Sequence, residues 1–281
     1  MNEEAVFLGN DDRMIGIVTI PDGGADGRAP FVLFLSAGLF HHVGPHRLYV
    51  DLSRDLAVRG FASLRFDMSG IGDSDRADTE RSYVEQTISD VSEAMDLVTA
   101  RFGAERFVLV GLCTGAYSAL AAAPGNDRVV GCALIDGYAY PTRRYRVKNL
   151  IWKASQGWRW KRHILRRLGL RPRTGSSQPD AALFFQPEQL DRDAFEQRIT
   201  ALTRRGCRFH VTYTRFGAQP YNYRNQLFDE FPNFDRDLVT LLFSTGSDHL
   251  FTLPVPRAEL IASIGEWMES GLTAAAREAV G

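Results

Sequence analysis

The chain has 281 residues, 44% of them hydrophobic and 24% charged, with a net charge of −1. That length suits one large α/β domain with a substantial core, and the composition is ordinary for a soluble globular protein. No apolar run approaches the roughly 18 residues of a membrane span, and Met1-Asn2-Glu3-Glu4 lacks a signal-peptide core, so a cytoplasmic location is expected.

The near-neutral total hides an asymmetry. Twelve of the 33 Lys and Arg fall between Arg143 and Arg173, where there is no Asp or Glu. The rest of the chain holds 21 basic against 34 acidic side chains. One basic segment is thus carried on an acidic body. The three cysteines, Cys113, Cys132 and Cys207, show no metal-ligand spacing. Cys132 reads as core, and Cys207 has no evident role.

In chain order, residues 5–20 predict a hairpin that turns at Asn10-Asp11-Asp12. Phe31 to Leu35 predicts a buried strand. Arg47 to Arg59 predicts a helix with Leu48, Leu52, Leu56 and Ala57 on one face, ended by Gly60. Phe61 to Phe66 is the next strand. Residues 80–101 predict a long amphipathic helix with Val84, Ile88, Val91, Met95 and Val98 inward. Arg106 to Val110 and Val129 to Ile135 are strands, separated by a small-residue helix around Ala116 to Ala123. Residues 137–205 read as an irregular to helical insertion. Arg208 to Thr214 and Val239 to Ser244 are the last strands, and Ala258 to Glu269 the last helix. Strands alternating with helices after an opening hairpin imply a mostly parallel central sheet covered by helices on both faces, in a single domain.

The most informative stretch is Gly111-Leu112-Cys113-Thr114-Gly115. It joins a buried strand to a closely packed helix. A G-x-nucleophile-x-G turn in that setting forces its middle residue into a strained backbone and exposes its side chain at a helix N-terminus. Here that residue is Cys113. A thiol so placed needs a base from a late loop. Among six histidines only His249 lies after the last strand, in Gly246-Ser247-Asp248-His249. Backbone N–H groups of Thr114 and Leu39 are the expected oxyanion donors. The third member is open. Tyr213 to Asn222 holds no carboxylate, while Asp136 ends the strand before the insertion. Asp136 is the first choice, with Asn222 or Asp229 as alternatives, because Cys-His-Asn also works.

Asp67-Met68-Ser69-Gly70-Ile71-Gly72-Asp73-Ser74 follows a strand and turns beside the expected site. No helix opens there and no Lys-Ser/Thr follows, so it is not a phosphate loop. His41, His42 and His46 lie just past the oxyanion loop. No acidic cluster accompanies them in sequence, so they read as lining the entrance and not as metal ligands. His42, Tyr117 and Trp152 are the candidate substrate contacts. No cofactor is implied.

These residues together resemble the α/β-hydrolase superfamily. The elbow, the D-x-S-G-x-G-D-S loop and the terminal Asp-His stand in its order, over roughly 5–135 and 206–270. The resemblance implies the α/β-hydrolase fold, with 137–205 as a helical cap, and acyl-transfer chemistry. Gly44 to Val50, Leu64 to Asp67 and Gly111 to Cys113 further resemble small hydrolases found with exosortase and exopolysaccharide systems. In the superfamily the acid usually follows the strand after the cap, and this chain departs from that pattern.

An elbow cysteine favours thioesters or activated esters, since attack on a thioester is nearly balanced. The expected enzyme is a thioesterase, esterase or acyltransferase. The other class is a binding or accessory protein that keeps the fold without turnover. In the basic segment Trp152, Trp158 and Trp160 interleave with Lys153, Arg159, Lys161 and Arg162, followed by Leu165, Leu168 and Leu170. This segment suits an acidic acyl-carrier protein, a phosphate-bearing carrier or an anionic membrane surface, or is simply a solvated face. Nucleic acid is not expected, because the rest of the chain is acidic.

Overall fold

The computed structural model describes residues 1–9, 11–25, 27, 29–77, 80–155, 190–216 and 219–272. The strands are β1 Asn2–Leu8, β2 Met14–Ile20, β3 Phe31–Leu35, β4 Ser63–Phe66, β5 Phe107–Leu112, β6 Val129–Ile135, β7 Arg208–Phe216 and β8 Val239–Asp248. All eight form one sheet in the order β1-β2-β4-β3-β5-β6-β7-β8. The first hairpin joins β4 antiparallel. Every other pair is parallel.

The central strands are continuous apolar runs because both their faces are covered. All of β3 and β5 is buried. Successive side chains point to opposite faces, so Leu33, Leu109 and Leu134 enter one core while Val32, Val108 and Ala133 enter the other. Helices α1 Leu48–Val58 and the last helix, Pro254–Leu272, close the second core. Helices α2 Tyr83–Phe102 and α3 Thr114–Ala122 close the first.

Of the 137–205 insertion, the described parts are α4 Arg143–Ser155 and α5 Arg192–Arg204. Helix α5 sends Phe195, Ile199 and Leu202 into the first core. Helix α4 buries no residue. A short α6 Gln226–Glu230 precedes β8, and Pro254–Leu272 is therefore α7. The rest of the basic run, with Trp158, Trp160, Arg159, Lys161, Arg162, Leu165, Leu168 and Leu170, lies outside the described residues. Among the described residues no helix is long and apolar enough to cross a membrane.

Three local differences from expectation have physical causes. Ile88 is 37% exposed, not inward. The inner arc of α2 is instead turned towards Asp90, which takes hydrogen bonds from the Ser69 N–H and hydroxyl and pairs with Arg13. Helix α1 starts one residue late because His46 and Arg47 are both left-handed, at φ 49 and 64. Strand β8 runs on to Asp248, paired with the extended end of β7.

The C-terminal ends of β3 and β5 are bridged by a buried tyrosine. Tyr49 Oη donates to Leu35 O at 2.9 Å and accepts from Leu112 N at 2.9 Å, bridging the ends of β3 and β5. Burial pushes its phenol well above the ordinary range. Tyr49→Phe leaves both backbone groups unpaired. The expected loss is about 1–3 kcal/mol of unfolding free energy, read by denaturant titration, with little change in fold. Unchanged stability would show that water replaces the bridge.

Candidate active site

Cys113 sits between β5 and α3 at φ 55, ψ −113, a conformation few non-glycine residues adopt. The turn is possible only because its neighbours have no side chain. A Cβ on Gly111 would lie 2.1 Å from Gly115 carbonyl atoms, and one on Gly115 would lie 2.6 Å from Leu35 O. The strained backbone is pinned by Cys113 N donating to Ile135 O at 2.8 Å. The thiol is left partly exposed at the start of α3.

His249 follows β8 directly. Its side chain is 22% exposed, and its Nδ1 lies 3.0 Å from Asp136 Oδ2. On its other side stands the Cys113 thiol, which acts on its charge. These two contacts, the Asp136 bond first, raise the imidazole from 6.5 to about 10 against the opposing effect of burial. An ionised carboxylate only accepts, so Nδ1 carries its hydrogen to Asp136 and Nε2 is left for the thiol.

Asp136 is fully buried at the end of β6, at φ 46. Its backbone N–H donates to Thr212 O at 2.8 Å. Thr214 N donates to Oδ1 at 2.7 Å, and the Thr214 hydroxyl donates to Oδ2. The carboxylate is thus fixed by β7 and aimed at His249. The alternatives are engaged elsewhere. Asn222 Nδ2 donates to Tyr145 O at 3.2 Å, and Asp229 lies 3.7 Å from Arg144. Both brace α4.

The loop after β3, the expected oxyanion loop, is tied to the elbow. Gly38 N donates to Thr114 Oγ1 at 2.5 Å, and Leu39 follows, 66% exposed. Tyr117 stands one turn along α3 from Cys113. Its hydroxyl accepts from Gln219 Nε2 at 2.9 Å, its ring packs 4.3 Å from that of Tyr138, and burial raises its phenol, with smaller contributions from Cys113 and Asp136. Trp152 lies on α4, 41% exposed.

The three histidines past the oxyanion loop diverge. His46 Nε2 lies 3.1 Å from Thr252 Oγ1, joining this loop to the His249 loop. His42 turns inward, with Nδ1 3.0 Å from Asp67 Oδ2 and its N–H on Oδ1. Asp73 N also donates to Asp67 Oδ2, at 3.1 Å. The fold therefore brings acids to His42 that the sequence does not place beside it. Ligand-type atoms of His42, Asp67 and Asp73 lie within 4.8 Å of one another. Both Asp67 oxygens are already used in bracing the two loops, which is an ordinary task for a buried carboxylate.

Sequence reasoning missed three supports: Thr214 for Asp136, Thr114 Oγ1 for the oxyanion loop, and Asp67 for His42. Thr214 carried the one available signal. It occupies the strand end where an acid was sought, and a donor there implies that the acid comes from a neighbouring strand.

Residues 32–280 match the profile described as the alpha/beta hydrolase family. No curated protein matches the chain. Among solved structures, Est1E from Butyrivibrio proteoclasticus bound to ferulic acid has a TM-score of 0.62 at 16% identity, over 95% of this chain and 99% of that one. An esterase from Pyrococcus furiosus has 0.62 at 13%, over 96% and 91%. Mouse alpha/beta hydrolase domain-containing protein 10 has 0.56 at 16%, over 95% and 98%. At such identities the likeness is one of fold. The family profile, spanning all but the first strands and the last residue, decides the matter: the chain belongs to the alpha/beta hydrolase family.

Proposed function

We propose that this protein is an acyl-transfer enzyme with a Cys113-His249-Asp136 site, acting on a thioester or activated ester. The observation that carries this reading is the elbow thiol standing beside His249, whose Nδ1 is bonded to the buried, doubly anchored Asp136.

In this reading the proton shared by the Cys113–His249 pair rests on His249 Nε2, as its midpoint near 10 favours, and Asp136 stabilises the imidazolium. Cys113 Sγ bonds to the acyl carbon. The carbonyl oxygen takes the negative charge and is held by the N–H groups of Leu39 and Thr114. The intermediate collapses, the carbon–sulfur or carbon–oxygen bond to the leaving group breaks, and His249 returns its proton to that group. The acyl-enzyme is itself a thioester. Water, an amine or an alcohol attacks it with His249 again accepting a proton, which regenerates the thiol. Thioester substrates lose no acyl activation on forming this intermediate, whereas oxygen esters must climb in energy. Esterases among the structural neighbours support acyl chemistry on this fold. The short segments around Gly44, Arg65 and Cys113, similar to hydrolases of exosortase and exopolysaccharide systems, support the same chemistry. His42 and Tyr117 flank the acyl group in this reading, and Trp152 meets its outer end.

Intact-mass analysis across a panel of thioesters and esters tests the nucleophile. Acyl adducts are expected on Cys113, fastest with thioesters, and absent from Cys113→Ala with its melting temperature retained. Full turnover by the alanine variant, or no adduct with any substrate, would sink this reading in favour of a non-catalytic fold member.

His249→Ala is expected to slow acylation by about 10²–10⁴-fold, with Asp136→Asn slowing it less. The Asp136 bond also sets a pH signature. The folded midpoint of His249, about 10, lies above its ordinary 6.5. Its contribution to stability is therefore complete below pH 6.5 and lost as pH rises through about 10. In Asp136→Asn the midpoint falls, and that contribution shrinks and fades at lower pH. NMR titration of the His249 ring reads the shift. A midpoint that stays near 10 in the variant would remove Asp136 as its cause.

A further inference from the structure

The loops that carry the site also carry the protein's most exposed apolar side chains on that side of the sheet. Strands β3, β6 and β8 run parallel, so the segments leaving their C-terminal ends share one edge with Cys113. After β3 comes Leu39, 66% exposed; after β8 comes Val255, 70% exposed. After β6 comes α4, whose Val147, Leu150 and Ile151 are 57%, 67% and 63% exposed. Spacing of i, i+3 and i+4 puts those three on one stripe of the helix. Single exposed aliphatics such as Val58 occur on any protein. A helix stripe joined by apolar side chains of two further segments on one edge is a different matter.

The charge on α4 points to the partner. Arg143, Arg144, Arg146, Lys148 and Lys153 share it with no Asp or Glu. Arg144 and Lys148 lie over the Tyr223 ring, at 4.6 and 5.3 Å. Helical spacing puts Arg143 in line with the aliphatic stripe, one turn before Val147, and Arg146 and Lys153 beside it. An aliphatic stripe flanked by cations is the pattern of a helix lying in a membrane interface, where acyl chains take the stripe and lipid phosphates the cations. A bilayer accepts aliphatics at unequal spacing from three separate segments, because it has no fixed shape to match.

We infer that α4 and the adjoining site rim dock on an anionic lipid bilayer, presenting Cys113 to acyl substrates held at that surface. The substrate part rests on the acyl-transfer reading; the docking part does not.

The test is flotation of the full chain with vesicles of phosphatidylcholine, with and without phosphatidylglycerol. Binding is expected to the anionic vesicles, at least about tenfold above the neutral ones, and to weaken as salt shortens the Debye length. A Val147→Ser/Leu150→Ser/Ile151→Ser variant and an Arg143→Gln/Arg146→Gln/Lys153→Gln variant should each lose about tenfold. Thermal melting confirms that both are folded; if the serine variant is not, Leu150→Ala alone replaces it. Cys113→Ala should bind like the parent, which separates docking from catalysis. Three results would overturn the inference: no flotation with anionic vesicles, equal flotation with neutral ones, or unchanged flotation of both folded variants. Binding of an acidic acyl-carrier protein, lost in the same variants while vesicles are ignored, would also overturn it by naming a different partner.

Discussion

The carboxylate of Asp136 is the fixed point of this molecule. It is fully buried, yet it has an acceptor role for each of three donors: Thr214 N, the Thr214 hydroxyl and His249 Nδ1. A buried carboxylate without such partners would be costly. With them, it ties the ends of β6, β7 and β8 into one unit. Both Cys113 and Asp136 hold positive φ, a strain of about 1–3 kcal/mol each. Each is pinned by its own N–H on the carbonyl of the next strand, Ile135 for Cys113 and Thr212 for Asp136. The strained positions thus step across the sheet, and the ladder that builds the fold also holds the candidate site's geometry.

The facing loops are braced by separate means. Gly38 is bound to the Thr114 hydroxyl, and His42 to the buried Asp67. His46 reaches Thr252 in the His249 loop, and Arg257 Nη1 donates to His46 O at 3.1 Å. The left-handed pair His46-Arg47 is therefore clamped from the start of α7. Oxyanion loop, elbow and histidine loop are linked to one another by hydrogen bonds and not only by the sheet. In the proposed chemistry a site preorganised in this way would need little rearrangement as charge develops.

Much of this was legible in sequence because it rests on local rules. Continuous apolar runs marked β3, β5 and β6, whose two faces are both buried. The elbow was legible because close helix packing leaves glycine no substitute at 111 and 115. His249 followed from chain order. Asp136 was visible as an acid at a strand end, but not its anchoring, since Thr214 lies 78 positions away and meets it only through the β6–β7 pairing. Ile88 was misplaced because hydrophobic periodicity takes no account of polar bonds, and Asp90 bound to Ser69 and Arg13 rotates the inner arc of α2. The left-handed His46-Arg47 step was hidden for a similar reason. Nothing local favours it, and contacts from α7 hold it in place.

The choice of sulfur at the elbow is consistent with the surface around it. In the proposed chemistry the acyl-enzyme is a thioester, so acyl activation is conserved and the second step can go to water or to another nucleophile. That outcome depends on which acceptor reaches the site and how much water accompanies it. A rim that seats against lipid would reduce access from bulk water and favour acceptors that share the interface. On those two proposals the aliphatic stripe of α4 and the thiol of Cys113 would serve one selection, the first by controlling what arrives and the second by keeping the acyl group reactive until it does. An enzyme whose only task was hydrolysis of dissolved esters would gain from neither, because serine takes the acyl group of an oxygen ester without the uphill step to a thioester, and an exposed aliphatic rim carries an aggregation cost.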